Sequence, residues 1–217
     1  MQALIDRLAR VFRPGRLPPG RDDPAVFRLF LGSRAAFITQ KTVLDYCQVK
    51  LGRNWDKART EPRFADALEH CRWAVFYPAA ADLTLAATRW LAPHAAAQPL
   101  ATAMAELGEA ALREAAQGGP SDDTEAGVAM LRARVLAWPE ATNAPGPDTM
   151  TLAAAIPLME TLPIHPELRK GERAAILGGL RMNLLAVFQN MERAFDAPSL
   201  AARLVAPPPP SPAPPPG

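Results

Sequence analysis

The chain has 217 residues and a formal charge of +2, with apolar side chains at 49%, aromatics at 6% and charged groups at 21%. That length suits one large domain or a small pair at the usual size of roughly 100 to 200 residues, and one domain is the simpler reading. The near-balanced charge gives no general reason to expect nucleic acid, whose binders usually carry a basic patch or stripe, and the one asymmetry is local, at Arg7, Arg10, Arg13, Arg16 and Arg21. Asp6, Arg7 and Arg10 interrupt the apolar core of a signal peptide, and no stretch reaches about 18 apolar residues without Pro or charge.

Alanine supplies much of the apolar fraction, which favours helices and gives little to strands. Part of that bias also fits a high-GC, bacterial genome. Cys47 and Cys71 have no CxxC spacing and sit in separate helical segments, as in a reduced, cytoplasmic protein.

In chain order, Met1–Arg13 predicts an amphipathic helix. Met1, Leu4, Ile5, Leu8, Val11 and Phe12 fall on one side, and Arg7, Arg10 and Arg13 on the other. Its apolar stripe needs a cover, for which the domain's own core, a partner protein and the anionic surface of the inner membrane are the alternatives. The Pro-rich linker "RPGRLPPGRDDP" follows. It divides residues 1–22 from an all-α domain at 23–205, beyond which 206–217 reads as a disordered proline-rich tail.

Phe27 to Trp55 reads as one long helix, with Asp22 or Asp23 as N-cap and Pro24 in the first turn. On a helical wheel Leu31, Ile38 and Val49 form one apolar stripe and Phe30, Phe37, Leu44, Leu51 and Trp55 another. Arg34, Lys41, Asp45 and Gln48 project into the gap between them. Charges framed by apolar groups must be paired, hydrated or bound to something. Lys41 and Asp45 can pair as i,i+4 neighbours, leaving Arg34 to find an acceptor elsewhere. The pattern predicts an opposite charge from another segment nearby. It leaves open a solvated seam, a cleft for a small anionic ligand, and a docking face for a partner protein.

Further helices are predicted from a capping Thr60 to just before Pro78, over Ala79–Leu91, over Gln98–Gln117 up to Gly118 and Gly119, and from "PSDDTEAG" to Trp138, before the loop "PEATNAPGPD". The last long helix is expected over Pro166–Phe195, with Leu177, Leu180, Leu184, Phe188, Met191 and Phe195 as its core stripe. Gly178 and Gly179 within it predict a closely packed neighbour. A short helix over Ser199–Leu204 precedes the tail. With no strand or hairpin signal, the fold class is all-α, a single compact bundle of about seven helices.

No motif names a reaction. Gly32–Ser33 lies inside a helical run without the strand and second glycine of a nucleophile elbow. His70 and Cys71 diverge as i,i+1 neighbours, so Cys47 with His70 is the one Cys/His pair worth examining. His70, Cys71, His94 and His165 lack zinc-ligand spacing, and there is no phosphate-binding loop. The sequence therefore implies no metal and no cofactor. It points to a non-enzymatic helical interaction protein or a small anionic-ligand-binding protein, with Arg34, Lys41, Asp45 and Gln48 as candidate ligand-binding residues. The alternatives are a metal-independent hydrolase with dispersed catalytic residues and a peripheral membrane adaptor acting through residues 1–13.

Overall fold

The computed structural model describes residues 20–140 and 147–206, so the expected N-terminal helix and the proline-rich tail lie outside the described residues. Among those described, seven helices form one bundle without strands: α1 (Pro24–Leu51), α2 (Pro62–Leu91), α3 (Ala97–Ala115), α4 (Ser121–Leu136), α5 (Ala155–Thr161), α6 (Arg173–Ala194) and α7 (Ala197–Val205). No helix among them is long and apolar enough to cross a membrane.

α1 starts where Asp23 accepts a hydrogen bond from the Ala25 amide at 2.8 Å, ahead of Pro24. It stops earlier than expected. Gly52 turns the chain at φ 50°, and a short 3-10 turn and the single helical turn Trp55–Ala58 follow. Trp55 thus leaves the α1 stripe and stands edge-on to Phe64.

α2 forms the axis of the bundle and corrects the expected break at Pro78: one helix of 30 residues runs through that proline. Its cap is Glu61, which accepts from the Phe64 amide at 3.0 Å, whereas Thr60 bonds back to Lys57. From Val75 to Thr88 every residue is buried, since α1, α3, α4, α5 and α7 all pack around this helix. A helix apolar on all sides is a core helix. Contacts around its whole circumference outweigh the one backbone bond that Pro78 removes.

The small residues set how closely the helices approach. A Cβ on Gly32 of α1 would stand 2.8 Å from the Ala111 carbonyl oxygen of α3, and one on Gly127 of α4 would stand 2.7 Å from the Tyr77 ring of α2. Gly32–Ser33 is accordingly a packing element, with the buried Ser33 hydroxyl donating to the Phe30 carbonyl at 2.9 Å.

Two further differences fall near the C-terminus. The unforeseen helix α5 occupies Ala155–Thr161, and the expected long helix from Pro166 is two pieces. His165 caps a 3-10 turn over Pro166–Arg169 by accepting from the Glu167 amide, Gly171 takes φ 78°, and α6 begins only at Arg173. Leu180, Leu184, Met191 and Phe195 of the predicted stripe are buried, with Leu177 and Phe188 packed at its edge. Phe195 meets Phe27 and Phe30 edge-on at 4.9 and 5.3 Å between ring centres. Such pairs add about 0.5–1.5 kcal/mol beyond their burial. Asn183 donates to Thr42 at 2.9 Å, so α6 is pinned to α1 at its middle as well as its end.

Candidate functional site on the outer face of the last long helix

The structure places the four predicted site residues along α1 without enclosing them. Lys41 Nζ lies 2.5 Å from Asp45 Oδ2, and both side chains are about half exposed, as is fitting for an i,i+4 surface pair. Gln48 is exposed. Arg34 is half-buried, with its guanidinium 5.5 Å from the Phe30 ring centre and 5.9 Å from that of Phe37, and burial lowers its pKa. The expected apolar frame is open on one side, because Val49 is 80% exposed. Two carboxylates from other segments reach α1 at other residues: Glu114 lies 3.4 Å from Arg28, and Glu172 accepts from Tyr46 at 2.7 Å and from Lys50 at 2.5 Å. Lys50 first and Tyr46 second hold the Glu172 carboxyl below its ordinary range.

An indentation between Arg28 and Gly32 of α1 and Ala111 and Ala115 of α3 has about 180 Å³ of empty volume, open solvent included. None of the four predicted residues lines it. Ligand pockets start at roughly 300 Å³. Arg28 Nε, 3.4 Å from Glu114, further crowds it.

The most perturbed carboxyl is Asp82 in α2, 2% exposed. It accepts from the Ala153 and Ala154 amides at 2.9 and 3.1 Å and from Arg134 at 2.9 Å, and Arg134 also donates to the Thr151 carbonyl. Burial pushes its pKa up to about 6 against the pull of those donors. The acid in "AAADLTLAA" is a signal that was available in the sequence, since a lone charge in a stretch otherwise free of charge requires a partner when that stretch is buried. With its acceptor capacity taken up by backbone and Arg134, it clamps the segment leading into α5. Its pH effect has a definite sign. The folded pKa of about 6 exceeds the ordinary 3.8, so between these values the folded chain holds more protons than the unfolded. Stability from this group is therefore present in full below about 4 and declines as pH rises through about 6. Urea melts at pH 4.5 and 7 should show Asp82→Asn lacking this component of the parent's pH slope.

The Cys47/His70 pair is not assembled, as Cys47 is fully buried and His70 exposed. Cys47 lies instead within electrostatic range of Cys71, and burial pushes the two thiols up to about 12 and about 11. They behave as small apolar groups. Among the described residues no three His, Cys, Asp or Glu side chains gather as metal ligands.

A different surface stands out. Among the described residues nothing supplies the closely packed neighbour expected at Gly178 and Gly179, for a Cβ on either would meet none of them within 4 Å. Both glycines face outward, together with Ala174, Ala175, Met182 and Ala186, and Met182 is 66% exposed. Successive turns of an exposed helix thus carry no charge and no hydrogen-bonding side chain on this face. The clamps fix its orientation. Thr42 and the Phe27–Phe30–Phe195 cluster hold the inner side of α6, while Arg181 donates to the Asp148 and Met150 carbonyls at 2.6 and 3.0 Å.

No family model matches this chain, and no curated protein and no solved structure matches it.

Proposed function

We propose that this protein is a non-enzymatic helical interaction module whose working surface is the outer face of α6. The observation that carries this reading is the solvent-facing Gly178–Gly179 pair beside the exposed Met182. Two glycines cost an exposed helix roughly 1 kcal/mol each relative to alanine, and no described residue packs on them to offset it. Small residues flanked by a methionine offer a smooth recess into which the large side chains of an apolar helix can seat. The α1 cluster fits this reading less directly. Lys41 is paired with Asp45, so the cluster carries one net positive charge, on the Arg34 guanidinium already held against two aromatic rings.

A photo-crosslinking amino acid at position 182, expressed in the source cell, tests the proposal. It should give a discrete adduct of higher mass that the same group at the exposed position 117 does not give, and Ala175→Glu should remove that adduct. Equal, diffuse labelling from both positions would sink the reading.

A further inference from the structure

We infer that Cys47 and Cys71 form a dithiol site, which hydrogen peroxide converts to an intramolecular disulfide joining α1 to α2. The inference is independent of the reading of the α6 face as a docking surface.

The register of the two helices gives the first argument. Phe27, near the start of α1, meets Trp90, near the end of α2, with ring centres 6.4 Å apart, so the helices run antiparallel. Cys47 lies 20 residues on from Phe27, and Cys71 lies 19 residues back from Trp90. At about 1.5 Å per residue both stand about 30 Å from that contact, at one level. On the far side Trp55 meets Phe64 at 6.3 Å, eight residues past Cys47 and seven before Cys71, which gives the same register. Both cysteines are fully buried in the core, and each lies within electrostatic range of the other. Facing Cα atoms of helices packed about 8–10 Å apart are separated by about 5 Å, inside the roughly 4.4–6.8 Å that a disulfide spans.

The surroundings of Cys71 give the second. Burial raises both thiols, but Thr161 and the Arg169 guanidinium draw Cys71 back, so it stands at about 11 and Cys47 at about 12. The thiolate is the nucleophile, which makes Cys71 the first to react. Its sulfur attacks the peroxide O–O bond and becomes a sulfenic acid, and the thiol proton leaves with the other oxygen as water. The Cys47 sulfur then displaces the sulfenic hydroxyl, which departs with the Cys47 proton as a second water. Two thiols and one hydrogen peroxide thus give one disulfide and two waters.

Access gives the third. Between α5 and α6 the chain crosses this end of the bundle as a strap whose one regular piece is the 3-10 turn over Pro166–Arg169. Arg169 acts electrostatically on both Cys71 and Tyr46, which places the strap against the thiols. Few bonds fasten it. Arg169 donates to the Met159 carbonyl at 2.5 Å, and Glu172 accepts from Tyr46 and Lys50. A segment fastened so sparsely opens at a lower cost than the whole domain, and that opening admits the oxidant.

Oxidation of the full chain by hydrogen peroxide tests the site, with the remaining thiols alkylated in denaturant and the digest mapped by mass. The expected result is a 47–71 linked peptide from the monomer fraction, lost on treatment with dithiothreitol. Glu172→Gln, which loosens the strap, should speed the link at least threefold. In Cys47→Ala, dimedone should trap a sulfenic acid on Cys71 at least tenfold faster than it traps Cys47 in Cys71→Ala. Low urea separates local opening from global unfolding. Opening of the strap exposes little surface, so 1 M urea should change the rate less than about twofold, whereas passage through the unfolded chain would raise it about fivefold or more. A rate that follows global unfolding in this way would overturn the inference. So would links found only between chains, sulfinic acid without a 47–71 link, or no oxidation over the time in which the urea-unfolded chain links fully.

Discussion

Replacing Asp82 with alanine should destabilise the domain by about 3 kcal/mol, toward the low end of the range for removing one partner of a buried ion pair. The loss has two sources. The Ala153 and Ala154 amides, held at 2.9 and 3.1 Å, lose their acceptors in a buried setting, and each unsatisfied group costs about 1–3 kcal/mol. Arg134 contributes less to the loss, because its side chain is 28% exposed and can turn to water. Chemical denaturation measures the total. Limited proteolysis locates it: cleavage should appear between 147 and 154, where the Arg181 bonds and the single Arg134–Thr151 bond would then hold the segment leading into α5. A cost below about 1 kcal/mol with no new cleavage would mean that the clamp contributes no structure.

Alanine substitutions at two glycines should move stability in opposite directions. Gly32→Ala places a Cβ 2.8 Å from a backbone carbonyl of α3, and α1 and α3 must separate to admit it. Overpacking of this kind costs about 1–3 kcal/mol, against about 1 kcal/mol of helix propensity recovered. A net loss of about 1 kcal/mol, and at most about 2, is expected, with a lower Tm. Gly179→Ala meets nothing within 4 Å among the described residues and should gain up to about 1 kcal/mol, read as a higher Tm.

The helical class and most helix starts were legible because they rest on local chemistry. Asp23 before Pro24, Gly118 at φ 86° after α3, and the spacing of Leu180, Leu184 and Met191 each act within a few residues. What failed depends on neighbours far along the chain. Pro78 reads as a stop, yet in the centre of the bundle the packing of five helices keeps α2 continuous. Gly178 and Gly179 read as a contact because helical glycines usually admit a neighbour, and only the placement of α6 turns them outward. The α1 cluster was visible as polar groups in an apolar frame, but the exposure of Val49, which opens that frame, depends on how the other helices are placed around α1. Asp82 could have been singled out from its surroundings, although its partners at 134, 153 and 154 could not.

The junction of Arg21 and Asp22 with Asp196 and Arg203 has a mechanical consequence. Residues 20 and 206 bracket one small contact, so tension applied across the two ends is borne first by its hydrogen bonds and surface ion pair, loaded one after the other as in a zipper. Behind them stands the buried seat of Leu200 and Ala201, where α7 packs on α2 and α3, and that is the second and larger barrier to a pull on the ends.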